Sequence, residues 1–360
     1  MQYRDFGKTG VRVSALGFGA MRLPQDEAEA VRVIRGAFEL GVNYIDTAYG
    51  YCEGRSEIVV GMALKGWRDR VYVSTKLPTW KVESEADFPR FLEEQRRKLD
   101  VSHIDFYHLH GIGKDRYEQT VVPFKLIEQA LHAKEKGLIR HLSFSFHDKP
   151  EVLMQLVDLG VFSSVLCQYN LLDRANEPAM AYASAEGVGV AVMGPVGGGR
   201  LGGPSALLGQ SVGRPAKTTA ELALRFVLSN PSVACALSGM STIAMVEENA
   251  RVASMEQPLS HDESGTINTM LEENRRLADL YCTGCAYCMP CPHGVNIPRN
   301  FELMNYHRVW GLTENAREGY RWMGEGETAN RCMECGECEP KCPQHIEIIK
   351  QLAETAEALA

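Results

Sequence analysis

The sequence contains no apolar run near the roughly 20 residues that a membrane-spanning helix needs. It also shows no apolar signal core after Met1 and no excess of basic residues, with 38 Lys and Arg against 46 Asp and Glu. Nucleic acids and anionic membranes attract clustered Lys and Arg, so a net charge of −8 disfavours both as partners. We therefore expect a cytoplasmic protein that binds small molecules or other proteins.

Cysteine is scarce in most of the chain and abundant near its end. Cys52, Cys167 and Cys235 are scattered, whereas the other eight of the 11 cysteines follow residue 280 in two tight clusters. Isolated cysteines usually pack as small apolar residues. Clustered cysteines in a chain without a secretory signal bind metal more often than they form disulfides, so we expect a metal centre there.

Short apolar segments alternate with amphipathic segments over the first 250 residues. Eight of them have the composition of buried parallel strands: Val13–Gly19, Val42–Ala48, Val71–Leu77, Ile104–His110, Ile139–Phe146, Ser164–Leu171, Gly189–Val196 and Val233–Gly239. Helical patterns follow them at Glu27–Leu40, Ser56–Lys65, Ala86–Leu99, Phe124–Lys136, Glu151–Leu159, Glu177–Ala185, Thr219–Ser229 and Ile243–Ala253. Eight strand–helix units in one series predict a (β/α)8 TIM barrel and favour it over an open doubly wound sheet. Gly7 and Gly10, at turn positions before the first strand, indicate a hairpin that covers the barrel floor.

Polar residues stand at the ends of three predicted strands. The second strand ends in Asp46 and is followed by Tyr51, the third ends in Lys76, and the fourth carries His108 and His110. Barrel enzymes place their chemistry at the C-terminal ends of the strands. A buried Asp or Lys is costly unless it is paired, so we expect Asp46 and Lys76, on adjacent strands, to form an ion pair. His108 is expected to pack in the interior.

Five motifs follow these strand ends in order. They are Ile-Asp-Thr-Ala-Tyr-Gly-Tyr at 45–51, Arg-Ser-Glu at 55–57, Ser-Thr-Lys at 74–76, His-Leu-His at 108–110 and Gln-Tyr-Asn-Leu-Leu-Asp-Arg at 168–174. Together they resemble the aldo-keto reductase superfamily over roughly the first 250 residues. The resemblance implies that Tyr51 is the general acid, with Lys76, Asp46 and His110 around it. A nearby ammonium favours an ionised phenol, so Lys76 would assist proton transfer to a carbonyl oxygen oriented by His110.

The same resemblance implies a nicotinamide nucleotide, which the family binds without a Rossmann glycine motif. Ser145 and Gln168 match contacts to the carboxamide, although Phe146 follows Ser145 where the family usually has Asn. Met193 stands where an aromatic side chain often stacks on the nicotinamide. The glycine-rich run at 194–200 can bring backbone N–H groups to a pyrophosphate. The remaining residues expected at the dinucleotide are Gly194, Gly197, Gly239, Glu248 and Asn249.

The chain lacks the basic residues with which the family holds a 2′-phosphate. Gly239-Met240-Ser241 replaces a Lys-bearing segment, and Met245 stands where an Arg is usual. Without these charge-assisted contacts we prefer NAD to NADP as the nicotinamide cofactor. The departures also leave room for a flavin.

Two cysteine runs follow a predicted linker at about residues 254–269 and a helix. Each run ends in Cys-Pro; the second has the spacing of bacterial ferredoxins, and the first is one residue shorter before its last Cys. Three cysteines two residues apart can bind three corners of one [4Fe–4S] cube, while the fourth binds the other cluster. One expected ligand set is Cys282, Cys285, Cys288 and Cys342. The other is Cys332, Cys335, Cys338 and Cys291.

Helical patterns at Ile297–Gly311 and Glu314–Met323 separate the two cysteine runs. The region resembles the α-helical type of two-cluster ferredoxin domain. Structural zinc sites are the alternative, but zinc needs neither the triple spacing nor the Cys-Pro ending. We therefore expect a TIM barrel at 1–255, followed by a small all-α ferredoxin-like iron–sulfur domain at 256–360.

Three functions fit this combination. The first is carbonyl or alcohol redox chemistry in the barrel, coupled through [4Fe–4S] clusters to a possible redox protein partner. The second is a plain NAD(P)H-dependent aldo-keto reductase with structural or sensing clusters, and the third is a non-catalytic electron-transfer subunit. The intact polar set speaks against the third, and the altered cofactor positions speak against the second, so the first is preferred. The substrate, the direction of electron flow and the oligomeric state are not encoded in recognisable motifs.

Overall fold

A computed structural model describes residues 1–171, 173–196, 218–256, 259–260, 262–269, 272, 282, 288–308, 311–342 and 346–360. Within the described residues two compact units are distinguished: 1–196 with 223–256, and 218–222 with 259–360. The domain boundary near residue 255 stays a prediction, because the short segment 218–222 groups with the second unit. None of the helices in these ranges combines the length and apolar character needed to cross a bilayer.

The first unit contains a closed barrel of eight parallel strands, which excludes the open doubly wound sheet. Neighbouring strands follow one another along the chain, and the last pairs with the first. The barrel strands are β3 (Leu16–Gly19), β4 (Tyr44–Asp46), β5 (Tyr72–Leu77), β6 (Ile104–Ile112), β7 (Ile139–Phe146), β8 (Ser164–Gln168), β9 (Gly189–Met193) and β10 (Cys235–Ser238).

The segment Val13–Gly19, expected as one strand, is divided between two sheets. Strand β2 (Arg12–Ser14) pairs antiparallel with β1 (Tyr3–Asp5), whereas β3 joins the barrel. The chain changes partner at Ala15, whose N–H donates to the carbonyl of Gln2 at 2.9 Å. The expectation of one strand was therefore wrong, because a continuous apolar run does not reveal where the pairing partner changes.

The expected hairpin lies at the floor of the barrel and contributes to its core. Phe6, which follows β1, is fully buried, with ring centroids 5.6 Å from Tyr44 and 5.0 Å from Phe106. A Cβ atom at Gly189 would lie 2.5 Å from the Phe6 ring, so only glycine leaves room for it. Packing this ring closes the N-terminal end of the barrel, and the C-terminal strand ends, where barrel enzymes place their chemistry, form the opposite end, the mouth.

Helices follow the barrel strands at nearly the expected positions. They span Glu27–Glu39, Ser56–Leu64, Asp87–Leu99, Leu126–Glu135, Pro150–Val157, Glu177–Ala185, Thr219–Ser229 and Ile243–Val252. The first begins where Asp26 accepts a hydrogen bond from the backbone N–H of Glu29. It buries one apolar face that includes Val33, Ile34 and Phe38.

The second unit contains helices at Ile297–Arg308, Thr313–Arg321 and Ile348–Leu359. Their apolar core includes Phe301, Tyr320 and Leu352. Asn300 is fully buried; its side chain donates to the carbonyls of Asn296 and Glu327 and accepts from the N–H of Ala329. These bonds satisfy backbone groups that would otherwise be buried without partners.

Part of the predicted linker is helical, since residues 262–269 form a helix. The backbone N–H of Ser260 donates to Glu263 Oε2 at 2.7 Å, and the N–H of Glu263 donates to Ser260 Oγ at 3.1 Å. This reciprocal pair is a capping box. The polar residues around Ser260 and Glu263, which we interpreted as loop formers, therefore cap the start of a helix.

Candidate active site

A buried ion pair lies at the C-terminal ends of β4 and β5. Lys76 Nζ donates to Asp46 Oδ2 at 2.5 Å and to the carbonyl of Thr47 at 2.7 Å, and Ser74 Oγ donates to Asp46 Oδ1 at 2.8 Å. The two charged side chains are 1% and 5% exposed. Burial lowers the pKa of Lys76, but its interactions with Asp46 and Tyr51 outweigh burial and raise that pKa. Lys76 is therefore an ammonium at neutral pH.

Tyr51 stands over this ammonium in a tight turn after β4. Lys76 Nζ lies 4.7 Å from the centre of the Tyr51 ring. The turn spans Tyr51–Gly54, and Cys52 and Glu53 adopt left-handed φ values of 51° and 59°. Such values are costly for residues with a side chain and are tolerated where surrounding structure imposes them. The strained turn fixes the position of the phenol at the barrel mouth.

His110 lies beside the phenol, with ring centroids 6.1 Å apart. Burial lowers the pKa of His110 to about 2, with further contributions from Lys76, His108 and His147. The imidazole is therefore neutral at physiological pH. Within the described ranges its buried Nδ1 atom has no hydrogen-bond partner. A neutral imidazole can donate a hydrogen bond to a carbonyl oxygen without adding a second positive charge beside Lys76.

His108 precedes His110 by two residues on β6 and points to the same side of the strand. It is fully buried, and in the register of the sheet it lies opposite Lys76 on β5 and Ser143 on β7. Burial lowers the pKa of His108 to about 4. As expected from the sequence, this residue packs in the interior.

A buried polar network supports the strand that carries Lys76. Gln95 Nε2 donates to the carbonyl of Lys76 at 3.0 Å and to Glu57 Oε1 at 2.6 Å, and its Oε1 accepts from Tyr107 at 2.7 Å. Thr75 Oγ1 also donates to Glu57, at 2.7 Å. Burial raises the pKa of Glu57, although the bonds from Thr75 and Gln95 oppose this. The network holds the backbone of β5 in place beneath the ion pair.

The residues expected to contact a nicotinamide lie together on β7, β8 and β9. Gln168 and Met193 are register partners at the ends of β8 and β9. Gly194 has a φ of 64°, and a Cβ there would lie 2.6 Å from Gln168 Nε2, so glycine lets this amide approach the backbone. Ser145 Oγ accepts from the N–H of Gly111 at 2.7 Å, which leaves its hydroxyl hydrogen for another acceptor. These groups suit a carboxamide ligand.

The residues expected at the rest of the dinucleotide lie around β10 and the helix Ile243–Val252. A Cβ at Gly239 would meet no atom closer than 3.8 Å, so this backbone is open to a close approach. Asn249 is buried and donates to Ser238 Oγ at 3.1 Å, and Glu248 is half-buried on the same helix. The helix N-terminus, capped by Thr242, is suited to a phosphate. Gly197 lies outside the described residues.

Cysteines from both runs line one pocket in the second unit. They are Cys288, Cys291, Cys332, Cys335 and Cys338. Cys342 is buried, Cys282 packs against the same core, and Cys285 lies outside the described residues. Across the described ranges no three His, Cys, Asp or Glu side chains converge on one ion position. Thiolates from two Cys-rich runs that line one pocket are the donors that a [4Fe–4S] cluster takes.

Two contacts of the site were not expected from the sequence. The Trp80 ring lies 4.8 Å from His110, and Ser74 orients the Asp46 carboxylate. Trp80 is 48% exposed. Its sequence signal is an aromatic residue four positions beyond the strand-ending Lys76, but sequence alone does not show which way that loop folds.

The chain combines a closed (β/α)8 barrel, with Tyr, Lys, Asp and His at its mouth, and a cysteine-rich helical unit. This combination is typical of an oxidoreductase with a TIM-barrel fold. The family model "Aldo/keto reductase family" matches residues 15–216, and the model "4Fe-4S dicluster domain" matches residues 281–347. The chain belongs to the aldo/keto reductase family and carries a C-terminal 4Fe-4S dicluster domain. The resemblance drawn from the motifs is thereby confirmed.

Solved structures and curated relatives agree with this assignment. Aldo-keto reductase AKR11C1 from Bacillus halodurans, in its holo form, is 32% identical with a TM-score of 0.66, over 75% of this chain and 96% of that chain. An aldo/keto reductase from Klebsiella pneumoniae in complex with NADP and acetate is 26% identical with a TM-score of 0.63, over 74% and 94%. L-galactose dehydrogenase of Arabidopsis thaliana is 28% identical over 77% and 96%. The chain is similar to all three; these relationships support a nicotinamide cofactor, and the dicluster domain supports iron–sulfur clusters.

Proposed function

We propose that the barrel interconverts a small carbonyl compound and its alcohol, with Tyr51 as the proton donor and acceptor. The observation that carries this proposal is the Lys76 ammonium, which lies 4.7 Å from the Tyr51 ring and is held by Asp46 at 2.5 Å. A positive charge at this position stabilises the phenolate left after proton transfer. Asp46 fixes the ammonium and keeps the pair close to neutral overall.

His110 is the proposed orienting residue. Its neutral imidazole donates to the substrate oxygen beside Tyr51, so that the oxygen faces the phenol proton. A bound nicotinamide supplies or accepts the hydride at the carbonyl carbon. The side chains of this chain move only the proton, from Tyr51 to the substrate oxygen in reduction and back in oxidation.

NAD(H) is the proposed nicotinamide cofactor, with NADP(H) disfavoured. The first turn of the helix Ile243–Val252 has no basic residue, and Met245, where the family usually has Arg, is 45% exposed. A 2′-phosphate there would find no charge-assisted donor in that turn. The proposed contacts are Ser145, Gln168 and Met193 at the nicotinamide end and Gly194, Gly197, Gly239, Glu248 and Asn249 along the rest of the dinucleotide.

The dicluster domain, proposed as residues 256–360, would carry electrons to or from the barrel reaction. Cys291 lines the same pocket as Cys332, Cys335 and Cys338, as the proposed [4Fe–4S] ligand set of these four requires, and Cys288 of the other proposed set also lines it. The proposed second set is Cys282, Cys285, Cys288 and Cys342. A hydride carries two electrons and each cluster takes one, so coupling chemically requires a two-electron to one-electron converter, for which a flavin is suited.

Kinetics of anaerobically purified protein test the barrel reaction. Reduction of a panel of small aldehydes and ketones is followed with NADH and NADPH in the native protein and in Tyr51→Phe. We expect the variant to lose about 10²- to 10⁴-fold in kcat, the usual contribution of a general acid, with NADH binding unchanged. Full activity in Tyr51→Phe would exclude this residue as the acid. NADH oxidation that proceeds only with carbonyl substrates, without any cluster reduction, would favour a plain aldo-keto reductase.

A further inference from the structure

One cysteine of the second run lies at the molecular surface. Among the described cysteines Cys335 is the exposed one, whereas Cys332 and Cys338 are partly covered. Met333 beside it is 69% exposed, which is unusual for a large apolar side chain. The cluster proposed for this run therefore comes closest to solvent at Cys335.

The segment 333–337 forms the wall between the cysteine-lined pocket and the solvent. Met333, Cys335 and Glu337 all line that pocket and are also exposed. Left-handed φ values of 53° at Glu334 and 77° at Gly336 bend the chain on both sides of Cys335. The rate of electron transfer falls steeply with distance. A protein that exchanges electrons with this cluster would therefore do so fastest when it binds at this wall.

The wall also carries an excess of negative charge. Glu334 and Glu337 are exposed, and neither takes part in an ion pair with any described residue. Glu339 accepts from the backbone N–H of Ile349, and Lys341, which also lines the pocket, offsets one carboxylate in the net charge. The first cysteine run, 282–291, contains no Asp or Glu. The acidic character is therefore specific to the second run.

We propose that Met333, Glu334, Cys335 and Glu337 form the surface on which a one-electron redox protein with a basic contact face docks. This electron-exchange face rests on the proposed coupling of the clusters to a partner. An exposed apolar side chain in a segment with two exposed carboxylates is complementary to an apolar patch that carries Lys and Arg. A cluster held by this run would supply one electron to the metal centre of the partner, or would accept one from it.

Binding of a basic probe to the cluster-loaded protein tests the face. Mitochondrial cytochrome c, a basic one-electron carrier, is titrated calorimetrically into the oxidised protein at low and at physiological ionic strength, so that no turnover is involved. The face variant is Glu334→Gln with Glu337→Gln. The matched control is Glu318→Gln with Glu357→Gln, two exposed carboxylates on helices of the same unit. Iron content and absorption spectrum confirm that all variants keep their clusters.

We expect binding to weaken about tenfold in the face variant, with a smaller salt dependence, and to stay unchanged in the control. The rate of cytochrome c reduction by the dithionite-reduced protein should fall in parallel. Reduction of hexacyanoferrate(III), a small anion repelled by carboxylates, should not fall. Equal weakening in both variants would overturn the proposal, because it would reflect net charge. Self-association abolished by the face variant would also overturn it, since a second copy would then occupy the face. A failure of NADH to reduce the clusters would contradict the proposed coupling and leave this binding result unaffected.

Discussion

Lys76→Met tests whether the buried ion pair is as strongly coupled as its geometry indicates. Methionine is close to lysine in length, so the substitution removes the charge with little change in packing. Asp46 would keep the hydrogen bond from Ser74 at 2.8 Å and lose its partner at 2.5 Å. The carboxylate would then be a buried anion, 5% exposed, without a cation.

Removing one partner of a buried ion pair typically costs about 3–5 kcal/mol, because the remaining charge is uncompensated. For a barrel of this size each kcal/mol lowers Tm by roughly 2–4 °C, so the expected fall is roughly 6–20 °C. Lys76→Met combined with Asp46→Asn leaves no unpaired charge and should recover a large part of this loss. The control is Lys125→Met, which breaks an exposed ion pair with Glu85 and should cost at most about 1 kcal/mol.

Urea unfolding monitored by tryptophan fluorescence measures the free energy of unfolding of the four proteins. Strong coupling of the pair is refuted if Lys76→Met is no less stable than Lys125→Met. A further loss of stability when Asp46→Asn is added to Lys76→Met would refute it equally. Either result would show that water or a rearranged side chain compensates the Asp46 charge.

Three further outcomes are expected. Met245→Arg should raise kcat/KM with NADPH about tenfold relative to NADH, because a guanidinium supplies the missing charge-assisted contact to a 2′-phosphate; an unchanged ratio would place that phosphate elsewhere. Burial lowers the pKa of His108 to about 4, whereas the unfolded imidazole titrates at about 6.5, so the unfolded state binds the proton first as pH falls. His108 should therefore leave stability unaffected above pH 6.5 and lower it by up to about 3 kcal/mol toward pH 4. Because burial also lowers the pKa of His110, to about 2, urea titrations of His108→Asn should show a shallower fall in stability rather than a flat profile. Cys291→Ser and Cys342→Ser should each perturb a different cluster, visible as distinct changes in the reduced-state EPR spectrum, and identical spectra would contradict the crossed ligand sets.

Local sequence patterns predicted the barrel for two reasons. Apolar residues recur with different periods in strands and in helices, and the two patterns alternate in one series along the chain. The helices Glu177–Ala185 and Thr219–Ser229 have the expected bounds, and the Asp46–Lys76 pair follows from adjacent strands that end in opposite charges. In each case the information lies within a few residues of the feature. Because burying an unpaired charge is costly, direct pairing is the arrangement of the two charges that we expect.

Features that depend on distant contacts were not predicted. The division of the first apolar run at Ala15 depends on Gln2, and the position of Trp80 against His110 depends on how a loop folds over the mouth. The C-terminal helix Ile348–Leu359 was also not identified, although Glu339 accepts from the N–H of Ile349 in its first turn. That contact joins residues ten positions apart, beyond the reach of local capping patterns.

The most direct test of coupling between the barrel and the clusters is an absorption spectrum of anaerobically purified protein, recorded before and after NADH is added. Iron, sulfide and flavin are assayed in the same sample. We expect about eight irons per chain and bleaching of the cluster absorption near 400 nm by NADH. Eight irons and a spectrum that does not change when NADH or NADPH is added would contradict coupling of the barrel to the clusters. Zinc in place of iron would contradict the presence of the clusters themselves.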